Sequence, residues 1–220
     1  KDCTTTDYLS IGKSCIFDLN GHNLTSSAAA AILVKGTSAT SPSVVTITGK
    51  GTVSSTNDAG CNAVQVGAYA SLTIEDGNYV VPGDNATIYI AKSYTSKPST
   101  VSITGGTFES GNGQHVLNIK DDQVANGAAF SVTGGTFKGG FDPSNNGAEG
   151  EGTSFIAPGM ESVTNPDGSV TVQERPVVAQ IGEKKYYSLA DAFADVPTDG
   201  TTTVKPLTDL TATTTLATLK

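Results

Sequence analysis

Val101-Ser102-Ile103-Thr104-Gly105-Gly106-Thr107-Phe108 and, 29 residues further on, Phe130-Ser131-Val132-Thr133-Gly134-Gly135-Thr136-Phe137 share one pattern. Two apolar residues alternate with polar ones, a glycine pair turns the chain, and an aromatic residue follows. Such alternation describes a strand with one buried and one solvated face. Three further copies lie upstream: Phe17-Asp18-Leu19-Asn20-Gly21 leading to Leu24, Val45-Thr46-Ile47-Thr48-Gly49 leading to Val53, and Leu72-Thr73-Ile74-Glu75-Asp76-Gly77 leading to Tyr79. The central apolar residues Leu19, Ile47, Ile74, Ile103 and Val132 are 28, 27, 29 and 29 positions apart. A second series sits between these copies: Ile32-Leu33-Val34, Val64-Gln65-Val66, Ile88-Tyr89-Ile90 and Leu117-Asn118-Ile119, with Phe155-Ile156 as a poorer fifth member.

A unit of about 28 residues with two or three short strands cannot bury its apolar face alone, but stacked copies can. A propeller blade needs about 40 residues and four strands, so the period is too short for one. The leucine framework of a leucine-rich repeat is missing. The pattern predicts an all-β fold, a parallel β-helix of ~28-residue coils, wound right-handed as crossover chirality favours. One inward column is expected to run Phe17, Val45, Leu72, Val101, Phe130, and another Leu19, Ile47, Ile74, Ile103, Val132. At about 4.8 Å per strand, five coils make a rod roughly 24 Å long.

The repeat also explains a composition that could otherwise mean disorder. The 220 residues include 31 Thr, 21 Ser and 25 Gly, 37% hydrophobic residues and only 15% charged ones. Outward strand positions take Thr and Ser, and turns take Gly. A net charge of −8 with a single arginine, Arg175, argues against nucleic-acid partners and anionic membrane surfaces, which select basic patches. No apolar run is long enough to span a bilayer. No charged leader with an apolar stretch opens the chain at Lys1, so any signal peptide is expected to have been removed.

Asp18-Leu19-Asn20-Gly21-His22-Asn23-Leu24 and the two Gly-Gly-Thr-Phe turns resemble the repeats of bacterial cell-surface proteins with a pectate-lyase-like right-handed β-helix. The resemblance covers roughly residues 13–173. It implies an extracellular, secreted or surface-attached protein of adhesin or scaffold type.

Regularity fades after about residue 140. Residues 141–152 read as a loop, and Val163–Val172 as a hairpin turned by Pro166-Asp167-Gly168. The β-helix is therefore expected over 1–173, and a small strand–helix–strand segment over 174–220. In that segment Val177–Ile181 is a strand, and Ser188 N-caps a helix over Leu189–Val196. Asp209-Leu210-Thr211-Ala212-Thr213-Thr214-Thr215-Leu216 resembles Asp2-Cys3-Thr4-Thr5-Thr6-Asp7-Tyr8-Leu9 at an offset of 207. The C-terminal segment thus reads as the lead-in or cap of a following unit, with end-to-end self-association as its consequence.

Enzymes of this fold generally cleave acidic polysaccharides. A lyase of that kind needs a cation beside bound calcium, and Arg175 lies off the coils. A hydrolase needs converging carboxylates. The one adjacent pair in a coil, Asp121-Asp122, would point to opposite faces of a strand, and Glu75-Asp76 occupies a turn. His22 and His115 lie in different coils. No catalytic residue is expected. The metal candidate is a calcium loop formed by Asp142, Ser144, Asn146 and Glu149: oxygen residues at loop positions 1, 3 and 5 with Gly147 at 6 match the front of an EF-hand. Position 12 is Thr153, however, and a plain acidic loop is the competing reading. No other cofactor is expected. Cys15, two residues before Phe17, should point inward; a Cys3–Cys15 bridge stays open. The remaining expectation is a binding face for glycan or protein built from Tyr69, Tyr89, Tyr94 and the loop tips, with a polysaccharide-active enzyme as the alternative.

Overall fold

The computed structural model describes residues 1–57, 60–83, 85–111, 113, 115–146, 153–198 and 200–208. Contacts divide the chain into two units, Lys1–Gln173 and Glu174–Lys220.

The first unit is a three-sided parallel β-solenoid. Its coils run β1 (Cys3–Thr5), β2 (Leu9–Ile11), β3 (Cys15–Asp18); β4 (Leu24–Ser26), β5 (Ala30–Val34), β6 (Ser43–Thr48); β7 (Thr52–Ser55), β8 (Asn62–Val66), β9 (Ala70–Ile74). They continue with β10 (Asn78–Val81), β11 (Ile88–Ile90), β12 (Thr100–Ile103); β13 (Thr107–Ser110), β14 (Leu117–Ile119), β15 (Ala129–Val132); then β16 (Thr136–Phe137). Every third strand joins the same sheet. The first sheet stacks β1-β4-β7-β10-β13-β16, the second β2-β5-β8-β11-β14, and the third β3-β6-β9-β12-β15.

Inward residues form columns along each sheet. In the first, Leu24, Val53, Tyr79, Phe108 and Phe137 are in register, and the last three stack as rings with centroids 5.2 and 5.1 Å apart. The second sheet aligns Leu9, Ile32, Val64, Ile88 and Leu117. The third aligns Cys15, Val45, Leu72, Val101 and Phe130, and beside it Phe17, Ile47, Ile74, Ile103 and Val132. Four of the five coils thus keep the expected columns, and the first is displaced by two residues. Its step to the next coil is 30 residues, so Phe17 and not Leu19 meets Ile47, and Ile16 heads the outward row of Thr46, Thr73, Ser102 and Ser131. Cys15 occupies an inward column position but is exposed, β3 being an outer strand of its sheet among the described residues. Cys3 and Cys15 are not bridged and lie in different sheets.

The two glycines of each Gly-Gly turn have separate jobs. A Cβ on Gly105 would sit 2.1 Å from Glu75 O, and one on Gly134 would sit 2.2 Å from Thr104 O, so the first glycine lets coils approach. Gly106 and Gly135 have φ of 96° and 99°, which favours glycine for want of a Cβ. The corners between sheets also bury hydroxyls. Ser26 Oγ donates to Asp7 O at 2.8 Å, Ser55 Oγ to Ala28 O at 2.8 Å, and Ser99 Oγ to Gly67 O at 2.8 Å. Gln123, also buried, accepts from Ser93 N at 2.8 Å. Part of the serine surplus is therefore internal, satisfying turn carbonyls at the corners.

Beyond β16, β17 (Met160–Thr164) and β18 (Val170–Glu174) form the expected hairpin, with Gly168 at φ 82° in its turn. It continues the first sheet, β18 pairing antiparallel with β16. Phe155-Ile156 does not extend the second sheet as expected. Ile156 bridges Val132 at the edge of the third.

In the second unit β19 (Ala179–Ile181) pairs antiparallel with β20 (Lys184–Tyr186) and β21 (Lys205–Pro206). Helix α1 (Leu189–Ala194) is shorter than expected, and Ser188 caps it, accepting from Asp191 N at 3.1 Å. Ala179, Tyr186, Leu189 and Ala192 make its core. Asp195 accepts from Tyr186 OH at 2.7 Å and pairs with Lys184, and these bonds, Lys184's first, hold its carboxyl below the usual range. Residues 209–216, the second copy of the coil-start motif, lie outside the described residues.

Candidate functional site

Strand alternation decides what each sheet shows to solvent. In the second sheet the buried rows leave Leu33, Gln65, Tyr89 and Asn118 as one outward row in register. Around its Tyr89–Asn118 end lies a shallow open cleft of about 540 Å³, lined by Cys61, Asn62, Asn85, Tyr89, His115, Asn118, Lys120 and Asp121 among others. Two asparagines build its rim. Asn62 Nδ2 donates to Ala86 O at 2.8 Å; Asn85 Oδ1 accepts from Cys61 N at 3.1 Å, and its Nδ2 donates to Pro82 O at 2.7 Å. Each bond crosses a coil or closes a turn, so the rim is fixed by the fold. The floor offers a phenol ring and an amide, and one end adds a lysine, a carboxylate and an imidazole. This is a polar, solvent-open surface with one aromatic plane, suited to a ligand with both C–H faces and many hydroxyls.

The expected tyrosine face is divided. Tyr89 lies in the cleft, while Tyr69 and Tyr94 stack on each other at 4.9 Å in the turns that follow β8 and β11, with Lys92 Nζ 5.0 Å from the Tyr94 ring. The carboxylate pair is divided too. Asp121 lines the cleft, whereas Asp122, at φ 70°, binds the Gln123 amide. The structure brings His115 and Asp121 to the same cleft, which reading the two histidines coil by coil misses. They flank β14, and the register of β14 with β11 sets that strand beside Tyr89. His22 lies elsewhere, on the first coil, 3.7 Å from Asp2.

The candidate calcium residues sit where the chain closes the last coil. Asp142 Oδ1 accepts from Ser144 N at 2.8 Å, an Asx turn. Asn146 is buried, and its Nδ2 donates to Leu117 O at 2.9 Å, at the edge of β14. Phe155 N donates to Pro143 O at 2.8 Å. These residues are engaged in finishing the solenoid. Glu149, the remaining member of the set, lies outside the described residues. Among the described residues no three His, Cys, Asp or Glu side chains gather as a metal-holding group, and no helix is long and apolar enough to cross a membrane.

Comparisons of the chain with protein-family models, curated proteins and solved structures give no match.

Proposed function

We propose that this chain is a non-catalytic extracellular β-solenoid of the bacterial surface-protein type that presents the second-sheet cleft to a glycan. One observation carries the reading: Tyr89 and Asn118 lie side by side on a rigid sheet, inside a rim held by Asn62 and Asn85. A ring face takes the apolar side of a sugar, and amide and carboxylate groups take its vicinal hydroxyls. Placement on a sheet fixes this geometry without any loop having to order. The hydroxyl-rich, weakly charged skin and the net acidity suit an exterior setting and disfavour nucleic acid.

His115 and Asp121 in one cleft favour a second reading, a polysaccharide-active enzyme. Glycoside hydrolysis ordinarily uses two carboxylates facing the scissile bond, and Asp121 alone among the described residues lines the cleft as a carboxylate. A glycan array with wild type and Tyr89→Ala, run beside reducing-sugar and unsaturated-uronate assays, separates the two. Binding weakened about tenfold or more by Tyr89→Ala with no product released supports the proposal. Product formation abolished by Asp121→Ala overturns it.

A further inference from the structure

The turn from β8 to β9 has three residues, Gly67, Ala68 and Tyr69, where the turn from β11 to β12 has nine. The short turn sets Tyr69 at φ 57°, a left-handed conformation that bulky side chains rarely adopt. Bonds from both neighbouring coils keep it there. Gly36 N donates to Ala68 O at 2.9 Å, Ser43 N to Tyr69 O at 3.0 Å, and Ser99 Oγ to Gly67 O at 2.8 Å. The longer turn lays Tyr94, 40% exposed, on the Tyr69 ring with centroids 4.9 Å apart. It too is anchored: buried Ser93 donates its N–H to Gln123 Oε1 at 2.8 Å, and its hydroxyl accepts from Ser99 N at 3.0 Å. A strained backbone, bonded from two coils, thus holds a pair of phenols at the surface, and strain of this kind gathers at ligand sites. Among the described residues neither phenol hydroxyl has a hydrogen-bond partner, and the Lys92 ammonium, 5.0 Å from the Tyr94 ring centre, has no carboxylate partner.

This corner begins where the second-sheet cleft ends. Lys120 lines the cleft and follows β14, and its N–H donates to Ile90 O at 2.9 Å. Since Ile90 pairs with Ile119, that bond sets Lys120 beside Ala91. Ala91 is small and half-buried, and Lys92 and Tyr94 follow it within three residues. Tyr89 and Tyr94 lie five residues apart on one coil, at most about 18 Å along the backbone, within reach of one short oligosaccharide.

Resting on the glycan reading of the cleft, we infer that the Tyr69–Tyr94 corner is a second subsite for the same ligand. That ligand is then a linear oligosaccharide of several sugars, lying along β11 and the turn that follows it, across the solenoid axis. One sugar sits at Tyr89 and Asn118, and another further along the chain meets the corner. There the two phenols and the Lys92 ammonium bond to sugar hydroxyls and ring oxygens. The clamped turns leave little to order on binding, so the second contact adds to the first as an intramolecular step.

Calorimetric titration of the full chain with a length series of the glycan bound best on the array, from monosaccharide to hexasaccharide, tests this. Wild-type affinity is expected to rise at least about tenfold along the series and to level off once the chain reaches the corner. Tyr94→Ala flattens that rise, as does Tyr69→Asn, asparagine being tolerant of a positive φ. Both keep the affinity for the shortest binding oligosaccharide within about twofold of wild type, whereas Tyr89→Ala weakens every length. Melting curves accompany each variant, and the exposed change Lys92→Gln, with a partial flattening expected, serves if Tyr94→Ala loses its fold. A stack that merely packs two turns lowers the melting temperature of Tyr94→Ala and leaves the length dependence intact, which overturns the inference. Wild-type affinity that does not change with length overturns it as well, while binding lost in Tyr89→Ala still upholds the cleft. A wild type that binds no glycan on the array overturns the cleft reading itself, and the second subsite with it.

Discussion

Replacing Phe108 by alanine tests the column packing where it is densest. Phe108 is fully buried between Tyr79 and Phe137, with near-parallel rings at interplanar angles of 9° and 16°. Removing a buried phenylalanine side chain costs about 3–5 kcal/mol, including the cavity left behind. Two ring contacts of about 0.5–1.5 kcal/mol each place this site toward the upper end, so the expected loss is about 4–5 kcal/mol. With a urea slope of about 2 kcal/mol per M for a unit of this size, the midpoint falls by about 2 M. The backbone on either side is held by parallel ladders that cannot shift to fill the space. Phe108→Leu keeps most of the volume and loses about 1.5 kcal/mol. Urea titrations followed by far-UV circular dichroism measure the midpoints, and the near-UV signal reports the ring stack. A loss under about 1.5 kcal/mol for Phe108→Ala, or equal losses for the two variants, would refute the stacked-column account.

Gly134→Ala forces a Cβ within 2.2 Å of Thr104 O and is expected to lower the melting temperature far more than Gly140→Ala, which meets open space and carries only the left-handed backbone penalty of about 1–2 kcal/mol. Burial pushes the Tyr79 phenol well above its ordinary value of 10.0. The folded state therefore keeps its proton when the unfolded chain loses it, and the stability this group contributes is intact below pH 10 and lost as pH rises above it. Tyr79→Phe should remove that slope, about 1.4 kcal/mol per pH unit, in paired urea titrations at increasing alkaline pH. Asn146→Ala strips Leu117 O of its donor and should cost about 1–3 kcal/mol, with faster hydrogen exchange concentrated at β14 and β15.

Most of the solenoid is legible because its signal is repeated. The residues after each glycine turn (Leu24, Val53, Tyr79, Phe108, Phe137) and the first residues of the second series (Ile32, Val64, Ile88, Leu117) all fall into true columns, since a buried position recurring every 24 to 32 residues leaves the same mark each time. The first coil departs from the pattern by two residues. Phe17 and Leu19 both suit the Ile47 position by side-chain type, and the ladder chooses Phe17. Buried Ser26, Ser55 and Ser99 look in sequence like the outward serines, and only the corner geometry, where a turn carbonyl needs a donor, separates them. The cleft was half legible. Tyr89 and Asn118 are outward by alternation, but the approach of His115 and Asp121 to Asn85 depends on how successive coils superpose, which no local motif encodes. The loop at Asp142–Asn146 carries the oxygen spacing of a calcium site, and Asx turns and edge-capping amides use the same residue types.

The most direct test of the cleft assignment is a two-dimensional amide NMR titration of the labelled full chain with the glycan bound best on the array. The account predicts shifts concentrated at Cys61, Asn62, Asn85, Tyr89, His115, Asn118 and Asp121, absent in Tyr89→Ala while the remaining spectrum is unchanged. Shifts centred instead on the solenoid end at Cys3, Leu9 and Phe17, or on the Glu174–Thr208 module, would contradict it.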